Sequence, residues 1–87
     1  MELEQLRIFV AVAESGSFTK AAKKLYISHS TTSRTVTALE NELSLRLFNR
    51  GNKILGLTEA GELLLKESRE LLLKADEMAE KLEKLKK

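Results

Sequence analysis

The 87 residues include no cysteine, no proline and no tryptophan, one histidine, four glycines and few aromatics. Without cysteine there is no disulfide framework and no thiolate metal site, and a single histidine cannot build a zinc centre by itself. No cofactor or metal is expected. The longest purely apolar run is the six residues Ile8 to Ala13, far short of the ~20 that cross a bilayer. The opening MELEQLRIF carries acids where a signal peptide needs a basic stretch, so the expectation is a cytoplasmic chain with no membrane partner. What remains is dominated by Leu, Ala, Glu and Lys, the profile of an α-rich soluble protein.

Acidic residues are missing from one window in particular. Between Ser15 and Leu39 there is none, while Lys20, Lys23, Lys24 and Arg34 are present. The formal charge of +2 therefore divides unevenly: residues 1–53 hold eight Lys/Arg against five acids (+3), and residues 54–87 hold seven against eight (−1). A local basic field of this kind attracts polyanions.

The apolar pattern sets out the elements. Leu3, Leu6, Ile8, Phe9, Val12 and Ala13 recur at helical spacing until Ser15-Gly16, giving a helix over about 3–14. Ser17 caps a second helix that buries Phe18, Ala21, Ala22 and Leu25 and leaves its lysines outward. Ser28 caps a third, running to about Leu43, with Thr32, Val36, Leu39 and Leu43 on one face. His29, Ser30, Ser33, Arg34 and Thr37 fall on another. Two short helices joined by about three residues, the second showing polar groups from its N-terminal end, form a helix-turn-helix.

Leu47-Phe48 and Ile54-Leu57 read as short strands around the turn Arg50-Gly51-Asn52-Lys53, a hairpin in the position of a wing with two cations at its tip. Thr58 caps a long last helix. On it Leu64, Ser68, Leu71, Ala75, Met78, Leu82 and Leu85 keep heptad spacing, a seam too long for the small domain to cover and matched to a second copy of the chain.

The polar stripe of SHSTTSRT has two chemical readings. His29 and Ser33 lie at i, i+4, yet no acid close in sequence orients the imidazole and no glycine-rich turn offers an oxyanion hole, so no enzyme is expected. Against double-stranded DNA the stripe is coherent. Arg34 can present paired donors to guanine, and Ser30, Ser33 and Thr37 are short enough to let the helix approach base edges. Ser28 with the first amides of the helix can meet a phosphate, and Lys20, Lys24, Arg50 and Lys53 supply salt-dependent attraction. The competing reading is a helical protein-interaction module whose working surface is the 64–85 seam.

The runs FVAVAESGSFTKAAKKLYIS, SRTVTALENELSLRLFNR and LTEAGELLL, in that order, resemble the N-terminal region of LysR-type transcriptional regulators over about residues 1–70. The resemblance implies a mainly α fold: a winged helix-turn-helix of three helices plus a two-stranded wing over 1–57. It is followed by a linker helix over 58–87 that pairs antiparallel in a homodimer. It implies promoter binding, with capping and base-reading positions at Ser28, His29, Ser30, Ser33 and Arg34 and a wing contact at Arg50. It also places the start of the linker helix at Thr58, with Gly61 in the LTEAG block. The effector-binding domain such regulators carry is not in this sequence. The chain departs from the family where Ser-Gln-Pro and two apolar residues are usual and Ser28-His29-Ser30-Thr31-Thr32 stand instead. His29 cannot copy glutamine's two-point contact with adenine, and Thr32 is expected to bond a carbonyl one turn back.

Overall fold

Each later helix begins where a short side chain satisfies an amide that the first turn leaves free. In the computed structural model, which describes residues 1–50 and 54–86, these caps are the predicted ones. Ser17 Oγ accepts from the Lys20 amide at 3.1 Å, Ser28 Oγ from Thr31 at 3.0 Å and Thr58 Oγ1 from Gly61 at 3.0 Å. They open α2 (Phe18–Leu25), α3 (His29–Leu43) and α4 (Glu59–Glu83); α1 (Leu3–Ser15) begins where the Glu2 amide donates to the Gln5 side chain. Between α3 and α4 lie β1 (Phe48–Arg50) and β2 (Ile54–Leu57), paired antiparallel with Phe48 opposite Leu57.

The ends of α1, α2 and α3 are set by left-handed residues. Gly16 closes α1 at φ 70°, but Tyr26 and Ser44 take the same role after α2 and α3 at φ 57° and 55°. A side chain in that region costs of order 1–2 kcal/mol. The compensation is a closed helix end in both cases: the Ile27 amide donates to the Ala22 carbonyl at 3.0 Å and Leu45 to Glu40 at 3.2 Å.

Much of the core is what periodicity marked, although Leu3 stays exposed, Leu25 and Leu43 are half-buried, and Ala11, not marked, is buried. Phe9 and Val12 of α1, Ala21 of α2, Val36 and Leu39 of α3, and Leu47 and Phe48 are buried in one cluster. Phe48 lies 5.5 Å from Phe9 and 6.1 Å from Phe18, so the aromatic rings weld the wing's first strand to α1 and α2. Thr32 is fully buried, and its hydroxyl donates to the Ser28 carbonyl at 2.9 Å, the backbone bond expected of it. Three helices, an antiparallel two-stranded wing and a long final helix make the winged helix-turn-helix arrangement. β1 starts one residue later than the sequence indicates because Leu47 is used elsewhere. Its amide goes to the Glu40 carboxylate at 2.8 Å and its carbonyl accepts from Thr58 at 3.0 Å. The turn at 51–53, with Lys53, lies outside the described residues.

Helix α4 runs antiparallel to α1. Arg7 meets Asp76 and Glu14 meets Arg69, both at 3.0 Å, so rising numbers on one helix match falling numbers on the other. Gly61, Ser68 and Leu72 are its buried face. This corrects the reading of the heptad seam as one continuous partner surface. Leu64 packs against the domain's own core and Ser68 is buried, whereas Leu71, Met78, Leu82 and Leu85 are exposed and Ala75 is half-buried. The helix lies along α1, and the first part of the seam is used up within the chain's own domain.

Gly61 is where this packing is tightest. A Cβ there would run into the Leu47 carbonyl oxygen and come within 2.9 Å of Leu57 Cδ2. The obstacle is backbone already engaged by Thr58, so it cannot swing away. Gly61→Ala should lower unfolding stability by about 1–3 kcal/mol, overpacking outweighing the helix propensity gained. Urea unfolding monitored by circular dichroism checks it, and an unchanged midpoint would remove the close approach from the account.

Candidate nucleic-acid interface

One face of α3 is committed to the core through Thr32, Val36 and Leu39, which fixes what the other must present. His29, Ser30, Arg34 and Thr37 are exposed and Ser33 is half-buried along the outer side. The structure thus brings all five predicted stripe residues to one surface. Ser28, expected to cap the helix and meet a phosphate, is different. Its oxygen caps Thr31 and its hydroxyl proton goes to Thr31 Oγ1 at 2.9 Å, so the hydroxyl is fully used within the helix's first turn. What Ser28 leaves for an anion is the pole of the helix itself, where amides point outward.

Short side chains have a second consequence. Ser30, Ser33 and Thr37 extend little beyond the backbone, so a surface facing α3 can come close, and Arg34 is the one long donor in that stretch. Lys20 and Lys24 on α2 are exposed and, among the described residues, neither forms an ion pair. The same holds for Arg34.

Arg50 does not stand free at the tip of the wing as its sequence position indicates. Its Nη2 donates to Glu40 Oε1 at 3.1 Å, and its guanidinium lies 5.1 Å from the centre of the Phe18 ring and 5.9 Å from that of Phe48. The side chain folds back because a buried carboxylate waits for it. Glu40 is only 7% exposed, and its second oxygen accepts the Leu47 amide. His29 sits beside the same Phe18 ring, centroids 6.2 Å apart, so α2, α3 and β1 meet around one phenyl group.

Glu40, which holds this surface together, is not singled out by the pattern of the sequence, and Phe18 is marked there only as buried. A signal for Glu40 exists in retrospect: it follows Val36 by four and Leu39 by one, a charge on the edge of an apolar face, with an arginine ten residues on.

Residues 3–62 match the family model of the bacterial regulatory helix-turn-helix protein, lysR family. The chain belongs to the LysR family. It is 46% identical over 83 residues to the "Probable RuBisCO transcriptional regulator" of Porphyra purpurea, covering 95% of this chain and 26% of that one. Against the HTH-type transcriptional activator AaeR of Escherichia coli K12 it is 41% identical over 80 residues, 92% of this chain and 26% of the relative. The chain therefore spans about a quarter of the length of these curated relatives. Among solved structures, the BenM DNA-binding domain in complex with benA site 1 DNA superposes with a TM-score of 0.92 at 39% identity, covering 99% of this chain and all of that one. The expected winged helix-turn-helix of the family is the fold observed. The relatives are named as regulators of transcription.

Within this family member, the wing's attachment to α3 rests on Glu40. Glu40→Ala strips the Leu47 amide and the Arg50 guanidinium of their acceptor and should cost about 2–4 kcal/mol of stability. Glu40→Gln keeps an acceptor for the amide and should lose less. Equal midpoints for Glu40→Ala and the parent in urea unfolding would show that the pair carries no load.

Proposed function

We propose that the chain is the sequence-specific, double-stranded DNA-binding part of a bacterial LysR-type transcription regulator. It works in the cytoplasm as a homodimer, by recognition and not by catalysis. Residues 1–57 are the winged helix-turn-helix unit and residues 58–87 the linker helix that pairs with a second copy. The observation that carries this reading is the outer stripe of α3: Ser30, Arg34 and Thr37 are exposed on a helix whose opposite face is locked in the core. The BenM domain in complex with DNA, alike over nearly the whole chain, supports it.

The exposed stripe and the flanking lysines support the following roles. Arg34 reaches guanine O6 and N7 in the major groove, while His29, Ser30, Ser33 and Thr37 contact neighbouring edges or sugar-phosphate. Lys20 and Lys24, with Lys53, supply attraction to phosphates. The N-terminal pole of α3 behind Ser28 takes a phosphate. Arg50 holds the wing in place through Glu40 and so acts on DNA chiefly by positioning.

Selection of bound duplexes from a random pool gives the preferred site. On that site Arg34→Ala should cost about 1–3 kcal/mol and relax the choice at one base pair, with a smaller loss on random duplex. Fluorescence anisotropy at two salt concentrations measures both. Equal losses on the two duplexes would take base reading away from Arg34, and a parent chain that binds neither would end the DNA reading altogether.

Pairing rests on the remainder of the seam. Leu71, Met78, Leu82 and Leu85 are 50%, 58%, 59% and 75% exposed, so the chain's own domain leaves them uncovered. Burying such side chains is worth roughly 1.5–3 kcal/mol each, against the ~8 kcal/mol that corresponds to micromolar affinity. Two recognition helices then face two half-sites related by a dyad. The double variant Leu71→Glu, Met78→Glu should sediment as a folded monomer and bind the selected site weakly. Persistence of the dimer in that variant would move the pairing surface elsewhere.

A further inference from the structure

The outer stripe of α3 does not end at Thr37. Thr37, Asn41 and Ser44 follow at i, i+4 and i+7, and together with Arg46 and Arg50 they line a solvent-open cleft between the second half of α3 and the start of the wing. Two charges in that cleft cancel, because Arg50 is bound to Glu40 and the other Glu40 oxygen holds the Leu47 amide. Arg46 is exposed and makes no ion pair among the described residues. The side chains of Thr37, Asn41 and Ser44 make no hydrogen bond within the described residues either. One uncompensated guanidinium and three neutral donors around a single opening suit a phosphate: strong, fork-like donation from arginine, with amide and hydroxyl groups for the remaining oxygens.

We propose that this cleft seats a backbone phosphate of the DNA at the rim of the groove that α3 reads, with Arg46 as its principal ligand and Asn41 and Ser44 as supporting donors. This rests on the DNA-binding reading above and assigns a contact beyond the recognition stripe. The dimensions fit. Seven residues separate Arg34 from Asn41, about 10.5 Å along the helix axis. The major groove is only about 12 Å wide, so a helix that holds Arg34 over the bases carries Asn41 and Ser44 out to the phosphate wall. The rigid backing of the cleft is the Glu40–Arg50 pair, which fixes β1, and hence Arg46, against α3. Arg46 also serves the fold, but only through its carbonyl, which accepts from Thr58 Oγ1 at 2.6 Å and survives substitution of the side chain.

The test uses the full chain, the selected duplex and a random duplex, with single phosphates of the selected duplex replaced one at a time by neutral methylphosphonate. Arg46→Ala should weaken binding to both duplexes by a similar factor, roughly tenfold, and make the slope of log K against log salt shallower by about 1. Arg46→Lys should recover part of the loss. One methylphosphonate position should weaken the parent and leave Arg46→Ala unaffected, because the contact is already gone. Inorganic phosphate alone, titrated against the Arg46, Asn41 and Ser44 signals by NMR, probes a free-anion site. If the parent binds the duplex and Arg46→Ala matches it in affinity and salt slope, the phosphate seat is overturned. Saturable shifts with inorganic phosphate, alongside identical methylphosphonate patterns for parent and variant, would overturn it in favour of a free-anion site. A parent that does not bind duplex at all fails the DNA reading itself, a result distinct from either.

Discussion

A carboxylate taken out of water must find donors or it costs several kcal/mol, and Glu40 finds both of its donors on the chain that follows α3. This single residue therefore ties the outward-reading helix to the wing. If β1 drifted by an ångström or two, the Leu47 amide and the Arg50 guanidinium would leave, and the carboxylate would stand buried and unpaired. Arg50 in turn covers Phe18 at the start of α2, and Phe18 meets Phe48 and His29. Helices α2 and α3 and the first strand are thus packed around one phenyl ring and one buried carboxylate. An arrangement fixed by such contacts has less conformational entropy to lose on association.

Helix α4 is attached by a different kind of bond. Its two ion pairs with α1 are on the surface, where such pairs are worth about 0–1 kcal/mol each. The attachment is carried by the buried strip from Gly61 to Leu72 and by the close approach of Gly61 to Leu47. The strip is imperfect, since the Ser68 hydroxyl is buried without a partner among the described residues. Its cost is a donor or acceptor left dry, which a serine can reduce only by bonding to its own helix. Arg7–Asp76 is the more distal of the two ion pairs between α4 and α1, and the molecule measures 52 Å along its longest axis against 25 and 20 Å across. Along α4 and just past its end, exposed large apolar side chains run from Leu63, Leu71 and Leu73 to Met78, Leu82 and Leu85.

Local chemistry was legible in the sequence, and long-range chemistry was not. Ser17, Ser28 and Thr58 cap their helices because the bond spans three residues, and the burial of Val36 and Leu39 follows from spacing along one helix. The same is true of the Thr32 hydroxyl, whose acceptor is four residues away. The pairing of Arg50 with Glu40 needs two elements to be folded before the residues meet, so position alone left Arg50 at the tip of the hairpin. The seam on α4 failed in another way. A heptad records that one face of a helix is apolar, and it carries no information on whether the chain itself or a partner covers it. Leu64 is claimed by the domain's core and Ser68 is buried, which periodicity could not reveal.

The placement of charge gives the interface its character. Every ion pair among the described residues involves residues outside the acid-free window from 15 to 39. Arg7, Arg69 and Arg50 are spent on holding helices and wing together, while Lys20, Lys23, Lys24 and Arg34 are left to solvent. A cation already in an ion pair must break it before it can meet a phosphate, and an acid beside it repels the incoming polyanion. Neither obstacle exists in this window. The short hydroxyl side chains of α3 add no charge and extend little beyond the backbone, so this face combines unpaired cations on α2 with closely approachable polar groups on α3, and the buried Glu40 ties α3 to the wing beside it.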